Sequence, residues 1–389
     1  MSTDEARRTA ASIETKLPRV GTTIFTVMSA LAAEHGAVNL GQGFPDFDCD
    51  AALVDAVTQA MRAGANQYPP MAGVPALREA IAAKIGRLYG RGYDAGSEIT
   101  VTAGATQAIA TALLAVVRAG EEVILIEPVY DCYAPMVELC GGTPVPVQLN
   151  GSLRIPWDRV RAAITARTRA IIVNTPHNPT GTILREPDMR ELESIAVDAN
   201  LLVIADEVYE HMVFDGELHQ SASRFPALAE RSFVISSFGK TYHVTGWKVA
   251  YCAAPAALTA EFRKVHQFLV FTVNTPAQHG IASYMRNPAP YLELPAFYQR
   301  KRDLFRDGLR ATRFKLLPCE GTYFQLADYR AVSSLGEAEF SKWLTREIGV
   351  AAIPVSAFCS EPRDQGLVRF CFAKKDETLA LAIERLGRL

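Results

Sequence analysis

The sequence has few cysteines, and none of them is spaced as in a metal site or a redox-active dithiol. The seven cysteines form no C-x-x-C pair and have no histidine at a zinc-type spacing. They are Cys49, Cys132, Cys140, Cys252, Cys319, Cys359 and Cys371. This pattern predicts reduced, mostly buried thiols in a cytoplasmic protein without a metal site.

The chain also lacks an excess of charge of either sign. Its 40 Lys and Arg residues balance 42 Asp and Glu residues, for a formal net charge of -2. Without a basic field, neither nucleic acid nor an anionic membrane is expected as a partner. No apolar run approaches the ~20 residues of a membrane span, and residues 1–16 mix both charge signs without the apolar stretch of a signal peptide. A small molecule is the expected partner.

Hydrophobic residues make up 49% of the 389 residues, enough for a large core. Many of them fall into short, β-rich runs that alternate with segments of helical periodicity. These runs occupy 98–102, 123–126, 170–173, 201–205, 232–236 and 249–253. Such alternation predicts an α/β fold with a large domain built on a mainly parallel, doubly wound sheet.

The pattern changes after about residue 288, where a smaller α+β domain is expected. Its predicted elements are helices over 292–309, 337–347 and 377–386 and a strand over 322–326. A helical segment over 24–34 and the apolar residues after it should pack on this domain. We therefore assign residues 46–288 to the large domain, and residues 1–45 with 289–389 to the small domain.

Polar or reactive side chains follow five of the predicted strands. Prominent among them are Thr106, Tyr130, Asn178, Asp206 and Lys240. Because open α/β sheets bind ligands outside the carboxyl ends of their strands, we expect one shared site. The cleft between the two domains is its expected location.

Lys240 lies in the segment SSFGKT, after the run over 232–236. A phosphate-binding P-loop would need glycine at position 234, which is Val234, so a nucleoside triphosphatase is disfavoured. A buried lysine at a strand end is instead a candidate Schiff-base former.

Asp206 ends an apolar run, so its carboxylate needs a cationic or donor partner. A protonated pyridine nitrogen is one such partner. A Walker-type acid or a metal ligand would fit as well, but the missing glycines and scattered histidines disfavour both.

Two groups of residues suggest phosphate recognition. The small-residue turn 104–106 opens a predicted helix, whose free N–H groups favour an anion, although an ordinary helix cap explains the turn equally well. Ser237 with Lys248 forms the second group.

Six motifs occur in the order and spacing of one enzyme family. They are GQGFPDF (41–47), NQYPPMAGVPALREAI (66–81), NTPHNPTG (174–181), DEVY (206–209), SSFGKTYHVTGWKVAY (236–251) and VRFCFAK (368–374). With them the sequence resembles, over nearly its whole length, the class I, fold type I aminotransferases that depend on pyridoxal 5'-phosphate. Residues 16–48 look closest to the methionine, glutamine and kynurenine aminotransferase branch.

The resemblance implies a role for each cofactor residue. Lys240 would bind the cofactor covalently and shuttle a proton, and Asp206 would pair with the pyridine nitrogen. Asn178 and Tyr209 would hydrogen-bond the ring oxygen, and Tyr130 would stack on the ring. The phosphate would be held by the backbone of Ala105 and Thr106, by Ser237 and Lys248, and by Tyr68 from the other chain of a homodimer.

For the substrate, the resemblance implies that Arg369 clamps the α-carboxylate, with help from Asn178 and the backbone of Gly43. An arginine within the apolar segment VRFCF would otherwise be a buried, unpaired charge. Phe25 and Phe271 would line the pocket for the substrate side chain.

The implied activity is a ping-pong transfer of the amino group from an apolar, sulfur-containing or aromatic L-amino acid to a 2-oxo acid. Thr106 and Thr272 replace an aromatic residue and a histidine of the animal kynurenine enzymes. Both replacements favour a slimmer substrate such as methionine. A cysteine-S-conjugate β-lyase and a succinyl-diaminopimelate aminotransferase remain as alternatives.

Overall fold

The structure is a computed structural model that describes residues 13–361 and 363–389. Its strands are β1 (Val38–Asn39), β2 (Ile99–Thr102), β3 (Glu122–Glu127), β4 (Thr143–Gln148), β5 (Thr168–Asn174), β6 (Leu202–Asp206), β7 (Ser232–Ser237), β8 (Ala250–Ala253), β9 (Lys315–Leu316), β10 (Phe324–Asp328), β11 (Val350–Ala351), β12 (Ile353–Pro354) and β13 (Leu367–Cys371).

The α-helices are α1 (Ile24–Glu34), α2 (Ala51–Arg62), α3 (Pro75–Tyr89), α4 (Ala105–Val116), α5 (Tyr133–Leu139), α6 (Trp157–Ala162), α7 (Glu186–Asp198), α8 (Pro226–Ala229), α9 (Phe238–Thr241), α10 (Ala256–Leu269), α11 (Thr275–Tyr284), α12 (Ala289–Leu292), α13 (Leu294–Gly308), α14 (Glu337–Trp343) and α15 (Asp376–Leu386). Within the described ranges, no helix is both long and apolar enough to cross a lipid bilayer.

The large sheet contains seven strands of the described chain in the order β2-β8-β7-β6-β5-β3-β4. Neighbouring strands pair in parallel except at β8, which runs antiparallel to both β2 and β7. Alternate side chains of β5 enter separate apolar cores on the two faces, Ile171 and Val173 on one and Ala170 and Ile172 on the other. Helices cover both faces, which confirms the predicted α/β class with a mainly parallel, doubly wound sheet.

A second, antiparallel sheet has the order β12-β13-β10-β9 and packs with α13 and α15 around a third core. Strand β1 pairs in parallel with β11, so the chain before the large sheet joins elements that follow it. The domain boundaries at 45/46 and 288/289 stay a prediction, and residues 1–12 of the assigned small domain lie outside the described residues.

Several predicted elements differ from the observed ones for local reasons. The helix expected over 292–309 corresponds to α13 over Leu294–Gly308, but it begins two residues later, because Leu292 ends the separate short helix α12 and proline at the start of α13 favours a new helix there. The strand expected over 322–326 begins only at Phe324, because Thr322 has a φ of +64° and interrupts the extended chain. The helix expected over 337–347 ends at Trp343 and continues as a π-helical turn.

Candidate active site

Turns after β2, β3, β5, β6 and β7 surround one cavity of about 150 Å³ at the carboxyl edge of the large sheet. The structure therefore brings together the five strand ends that the sequence pattern singled out. Nine predicted site residues line this cavity: Ala105, Thr106, Tyr130, Asn178, Asp206, Tyr209, Ser237, Lys240 and Lys248.

Lys240 lies in the short helix α9, directly after β7, and its amine points toward the small sheet. Its Nζ donates hydrogen bonds to the carbonyl oxygen of Gly43 at 3.2 Å and to the hydroxyl of Tyr323 at 2.8 Å. Burial lowers the pKa of Lys240 from 10.5 to about 8. A far larger fraction of this amine is therefore neutral and nucleophilic near neutral pH than in an exposed lysine, as a Schiff-base lysine requires.

Asp206 is the last residue of β6 and is buried. The hydroxyl of Tyr133 donates to its Oδ2 at 2.5 Å, and the backbone N–H of Val208 donates to its Oδ1 at 3.2 Å. Burial nevertheless raises the pKa of Asp206 from 3.8 to about 6. A cation placed against this carboxylate would offset the cost of its burial.

The start of helix α4 offers an anion site. Gly104 precedes the helix with a φ of +85°. No side chain of the described chain caps the first turn of α4, so the first N–H groups of the helix are available to an anion. A Cβ atom at position 104 would lie 2.9 Å from Lys248 Nζ. Only glycine, which has no Cβ atom, therefore allows the Lys248 amine to lie this close to the backbone. With Ser237 at the end of β7, these groups fit a phosphate ester.

Arg369, on β13, is 1% exposed. Its Nη1 donates to Asn178 Oδ1 at 2.7 Å and its Nη2 to the carbonyl of Gly41 at 3.0 Å. Its Nε has no hydrogen-bond partner, and no carboxylate of the described chain forms a salt bridge with it. Burial lowers the pKa of Arg369 to about 10, although the Asp131 charge acts against this shift, so among the described residues no carboxylate at ion-pair distance offsets the burial of this guanidinium.

Aromatic rings surround this guanidinium. Its central carbon lies 3.9 Å from the ring centre of Phe324, 4.9 Å from that of Phe358 and 5.3 Å from that of Phe25. The three rings shield the guanidinium from water and stabilise its charge by cation–π contacts. They also form an apolar surface next to the charged group.

Tyr130 and Tyr209 place phenol rings at the cavity. The Tyr209 ring centre lies 5.6 Å from Lys240 Nζ. Burial raises the pKa of both phenols, so both hydroxyls stay protonated at neutral pH and can donate hydrogen bonds.

Tyr68 and Phe271 lie elsewhere on the surface. They are 80% and 48% exposed, their rings meet edge to face at 5.2 Å, and neither lines the cavity of its own chain. Their predicted contribution to a site therefore requires a second chain.

Sequence reasoning missed three residues of this site: Tyr133, Asn174 and Tyr323. Asn174 lines the cavity, and its Oδ1 accepts a hydrogen bond from the backbone N–H of Asn178 at 2.7 Å. Tyr133 lies three residues after Tyr130, a helical spacing that could have indicated a shared face. Tyr323 had no such signal, because its contact with Lys240 joins segments 83 residues apart.

Comparison with known proteins agrees with this geometry. Residues 35–386 match the profile of the family "Aminotransferase class I and II". The chain is 53% identical to the methionine aminotransferase of Escherichia coli (strain K12), over 97% of this chain and 98% of that protein. It is 43% identical to a probable N-succinyldiaminopimelate aminotransferase, DapC, of Mycobacterium tuberculosis (strain CDC 1551 / Oshkosh), over 96% and 98% of the two chains.

A solved structure of YbdL from Escherichia coli, for which a methionine aminotransferase function is described, superposes with a TM-score of 0.96 at 52% identity. The superposition covers 98% of this chain and 100% of that chain. Because the profile and both relatives align over nearly the whole length, the chain belongs to the aminotransferase class I and II family, whose members depend on pyridoxal phosphate.

Proposed function

We propose that this enzyme moves the amino group of an apolar, sulfur-containing or aromatic L-amino acid, methionine above all, to a 2-oxo acid. Pyridoxal 5'-phosphate is the cofactor, bound in the cavity at the sheet edge. The reaction is ping-pong, so the first amino acid leaves as its oxo acid before the second oxo acid binds.

The cavity fits this cofactor at its reactive end. When bound, pyridoxal phosphate supplies a sink for the electrons released from Cα. Lys240 would hold the cofactor covalently, and its amine is the group that would take and return the Cα proton. Asp206 would pair with the ring nitrogen, whose positive charge would offset the burial of the carboxylate. Asn178 and Tyr209 would hydrogen-bond the ring oxygen, and the Tyr130 ring would stack on the cofactor.

The phosphate end fits equally well. The open first turn of α4 supplies the N–H groups of Ala105 and Thr106, Ser237 supplies a hydroxyl, and Lys248 supplies a charge held close to Gly104. Together these groups would neutralise and orient a dianionic phosphate.

The observation that carries the substrate class is the buried, unpaired guanidinium of Arg369. Its planar donors suit the α-carboxylate of an amino acid, and Asn178 already fixes one edge of the group at 2.7 Å. The backbone of Gly43 assists from the loop beside it. Phe25, with Phe271 from a second chain, gives the substrate side chain apolar walls.

Methionine is favoured over substrates with a distal carboxylate. The cationic side chains that the described residues place at this cavity are Lys240, Lys248 and the neighbouring Arg369, and each already has a role. The identity to the methionine aminotransferase of Escherichia coli points the same way. The 43% identity to the succinyldiaminopimelate relative makes that compound the necessary comparison substrate.

The test is an absorbance spectrum of the purified protein with bound cofactor, before and after L-methionine and then after a 2-oxo acid. The visible cofactor band should disappear with methionine and return with the oxo acid. Lys240→Met should abolish the band, whereas Lys264→Met, at a lysine whose side chain is 70% exposed, should keep it. A band that ignores methionine but responds to cysteine conjugates with release of pyruvate would assign a β-lyase. A response to succinyldiaminopimelate alone would assign the other alternative.

We propose further that the enzyme works as a cytoplasmic homodimer in which Tyr68 of one chain reaches the phosphate site of the other. An apolar surface formed by Tyr68, Phe268, Leu269 and Phe271 supports this proposal. Phe268 is 86% exposed in the single chain, an arrangement that favours association with an equivalent surface. Buried, free thiols such as Cys371 suit a reducing compartment.

A further inference from the structure

The hydroxyl of Tyr323 lies between the reactive amine and the backbone. It donates a hydrogen bond to the carbonyl oxygen of Gly43 at 2.5 Å and accepts one from Lys240 Nζ at 2.8 Å. The amine also donates directly to the Gly43 carbonyl at 3.2 Å. Because the Tyr323 hydrogen is directed at Gly43, a lone pair of its oxygen faces Lys240.

The ring of Tyr323 cannot easily turn away from this position. It is 0% exposed and packs edge to face against Tyr209 and Phe324, with ring centres 5.2 Å and 4.8 Å away. The Tyr298 ring lies against it at 5.7 Å. The backbone is also fixed, since the N–H of Phe372 donates to the Tyr323 carbonyl at 2.9 Å. The hydroxyl is thus a preorganised acceptor rather than a mobile one.

Tyr323 and the carboxylate clamp belong to the same piece of structure. Tyr323 immediately precedes β10, and Arg369 on β13 pairs with Leu326 on β10. The small antiparallel sheet therefore carries both the group that binds the substrate carboxylate and a group that holds the amine of Lys240.

We propose that Tyr323 is a further catalytic residue, whose hydroxyl, aligned by the Gly43 carbonyl, holds the Lys240 amine whenever that amine is not attached to the cofactor. This proposal rests on the proposed function. The free amine then stays where the Cα proton must be taken up and returned. No proton leaves Tyr323, because its hydroxyl hydrogen stays attached to the Tyr323 oxygen and is directed at the Gly43 carbonyl throughout.

The role has a defined effect on protonation. An acceptor at 2.8 Å favours the ammonium form of Lys240, against burial, which lowers its pKa to about 8. Other titratable or charged groups face this amine from β6, from β13, from the segment before β8 and from the segment after β6. They are Asp206, Arg369, Cys371, Lys248 and Tyr209. All five side chains stay in place when only the Tyr323 hydroxyl is removed, and the Tyr209 phenol, although it loses its hydrogen bond with Tyr323, stays protonated because burial raises its pKa.

The first test compares Tyr323→Phe with Tyr298→Phe in the cofactor-free full chain. Tyr298 belongs to the same aromatic cluster, but its hydroxyl has no hydrogen-bond partner among the described residues, so it is a matched control. The pH dependence of acetylation at Lys240 is followed by mass spectrometry. We expect the midpoint to fall by about one pH unit in Tyr323→Phe and to stay in place in Tyr298→Phe. An unchanged midpoint in Tyr323→Phe would overturn the proposal.

The second test uses the enzyme with bound cofactor. Tyr323→Phe should lower kcat by about tenfold while KM for methionine stays within about twofold, because the carboxylate clamp is intact. An equal fall in kcat for Tyr298→Phe, or a change confined to KM, would contradict the role of the hydroxyl. If the unmodified chain bound no cofactor at Lys240, the proposed function would be wrong. The acetylation midpoints of the cofactor-free chains would still show whether the Tyr323 hydroxyl changes the pKa of Lys240.

Discussion

Arg369 combines charge, burial and an unused Nε donor in one side chain. Lysine keeps the charge but cannot form the two parallel hydrogen bonds of a guanidinium with a carboxylate. We expect Arg369→Lys to lower kcat/KM for methionine by about a hundredfold. The control substrate is the corresponding amine without its carboxylate, on which both enzymes should be equally slow. Equal losses on both substrates would show that the substitution acts on folding rather than on recognition.

Asp206 should make the stability of the cofactor-free chain depend on pH. Burial raises its pKa from 3.8 to about 6, so the folded chain binds this proton more tightly than the unfolded chain. That contribution is complete at low pH and is lost as the pH rises through about 6. Between about pH 4 and pH 6 the free energy of unfolding should lose about 3 kcal/mol from this group.

Urea unfolding at a series of pH values measures this term as the difference between the unchanged chain and Asp206→Asn. In Asp206→Asn the free energy of unfolding should not show this fall with rising pH. In the unchanged chain, bound cofactor should make the fall smaller, because it would place a cation beside the carboxylate. Parallel curves for the unchanged chain and the variant would contradict the assignment.

Gly104 shows how one element, helix α4, depends on a position that bears no side chain. Alanine there would be strained at φ +85° and would also meet Lys248 Nζ at 2.9 Å. Gly120→Ala is the matched control, since its φ is +83° but nothing lies within 4 Å of the new Cβ. We expect only Gly104→Ala to weaken binding of pyridoxal phosphate relative to unphosphorylated pyridoxal. If the ratio of the affinities for pyridoxal phosphate and pyridoxal were the same in both variants, Lys248 would not belong to the phosphate site.

Helix α3 is joined to the segment after β6 by a buried ion pair. Lys84 Nζ donates to Glu210 Oε1 at 2.5 Å and to the Tyr251 hydroxyl at 2.8 Å, and the hydroxyls of Tyr89 and Ser236 also donate to Glu210. Burial is the largest single effect on the pKa of Glu210 and raises it, but the charges of Lys84 and His211 and the hydrogen bonds from Lys84 and Ser236 together outweigh burial and hold that pKa below its usual range. Removing the lysine would leave an uncompensated carboxylate beside Tyr209.

We expect Lys84→Met to destabilise the fold by about 3–5 kcal/mol, and a second change, Glu210→Met, to recover part of that loss. Lys264→Met breaks an exposed pair with Glu261 and should change stability by less than about 1 kcal/mol. Thermal and urea unfolding measure all three. A loss for Lys84→Met as small as that for Lys264→Met would mean that water reaches the pair.

The elements that the sequence predicted best are those buried on both faces, since β5, β6 and β7 each contain an uninterrupted apolar run, at 170–173, 202–205 and 233–235. Strand β4 was missed because Pro144 and Pro146 argue against a central strand, and the structure resolves this by placing it at the edge of the sheet. The residues that line the cavity were predicted because they follow strand ends, whereas their roles toward a cofactor come from the family resemblance and stay a prediction. Tyr323 was missed because nothing local distinguishes it from a core tyrosine, and only long-range packing brings it to Lys240.

At the scale of the whole molecule, the site that we propose two chains share would let two inactive chains complement each other. Tyr68→Ala and Lys240→Ala should each be inactive as homodimers. After mixing and subunit exchange, each heterodimer would contain one complete site, so about a quarter of the unchanged activity should return if the chains pair at random. Recovery with Arg369→Ala in place of Tyr68→Ala should fail, because Arg369 and Lys240 serve the same chain's site.

The reversed strand β8 has a consequence for how this molecule can change over evolution. Because β7 and β8 run in opposite directions, residues that leave β7 and residues that enter β8 lie at the same edge, so Lys240 and Lys248 both reach the cavity. The helical crossovers between parallel strands instead deliver only one of their ends to that edge. Insertions and deletions should therefore accumulate in the crossovers, while the seven residues 241–247 act as a spacer of fixed length between the two lysines.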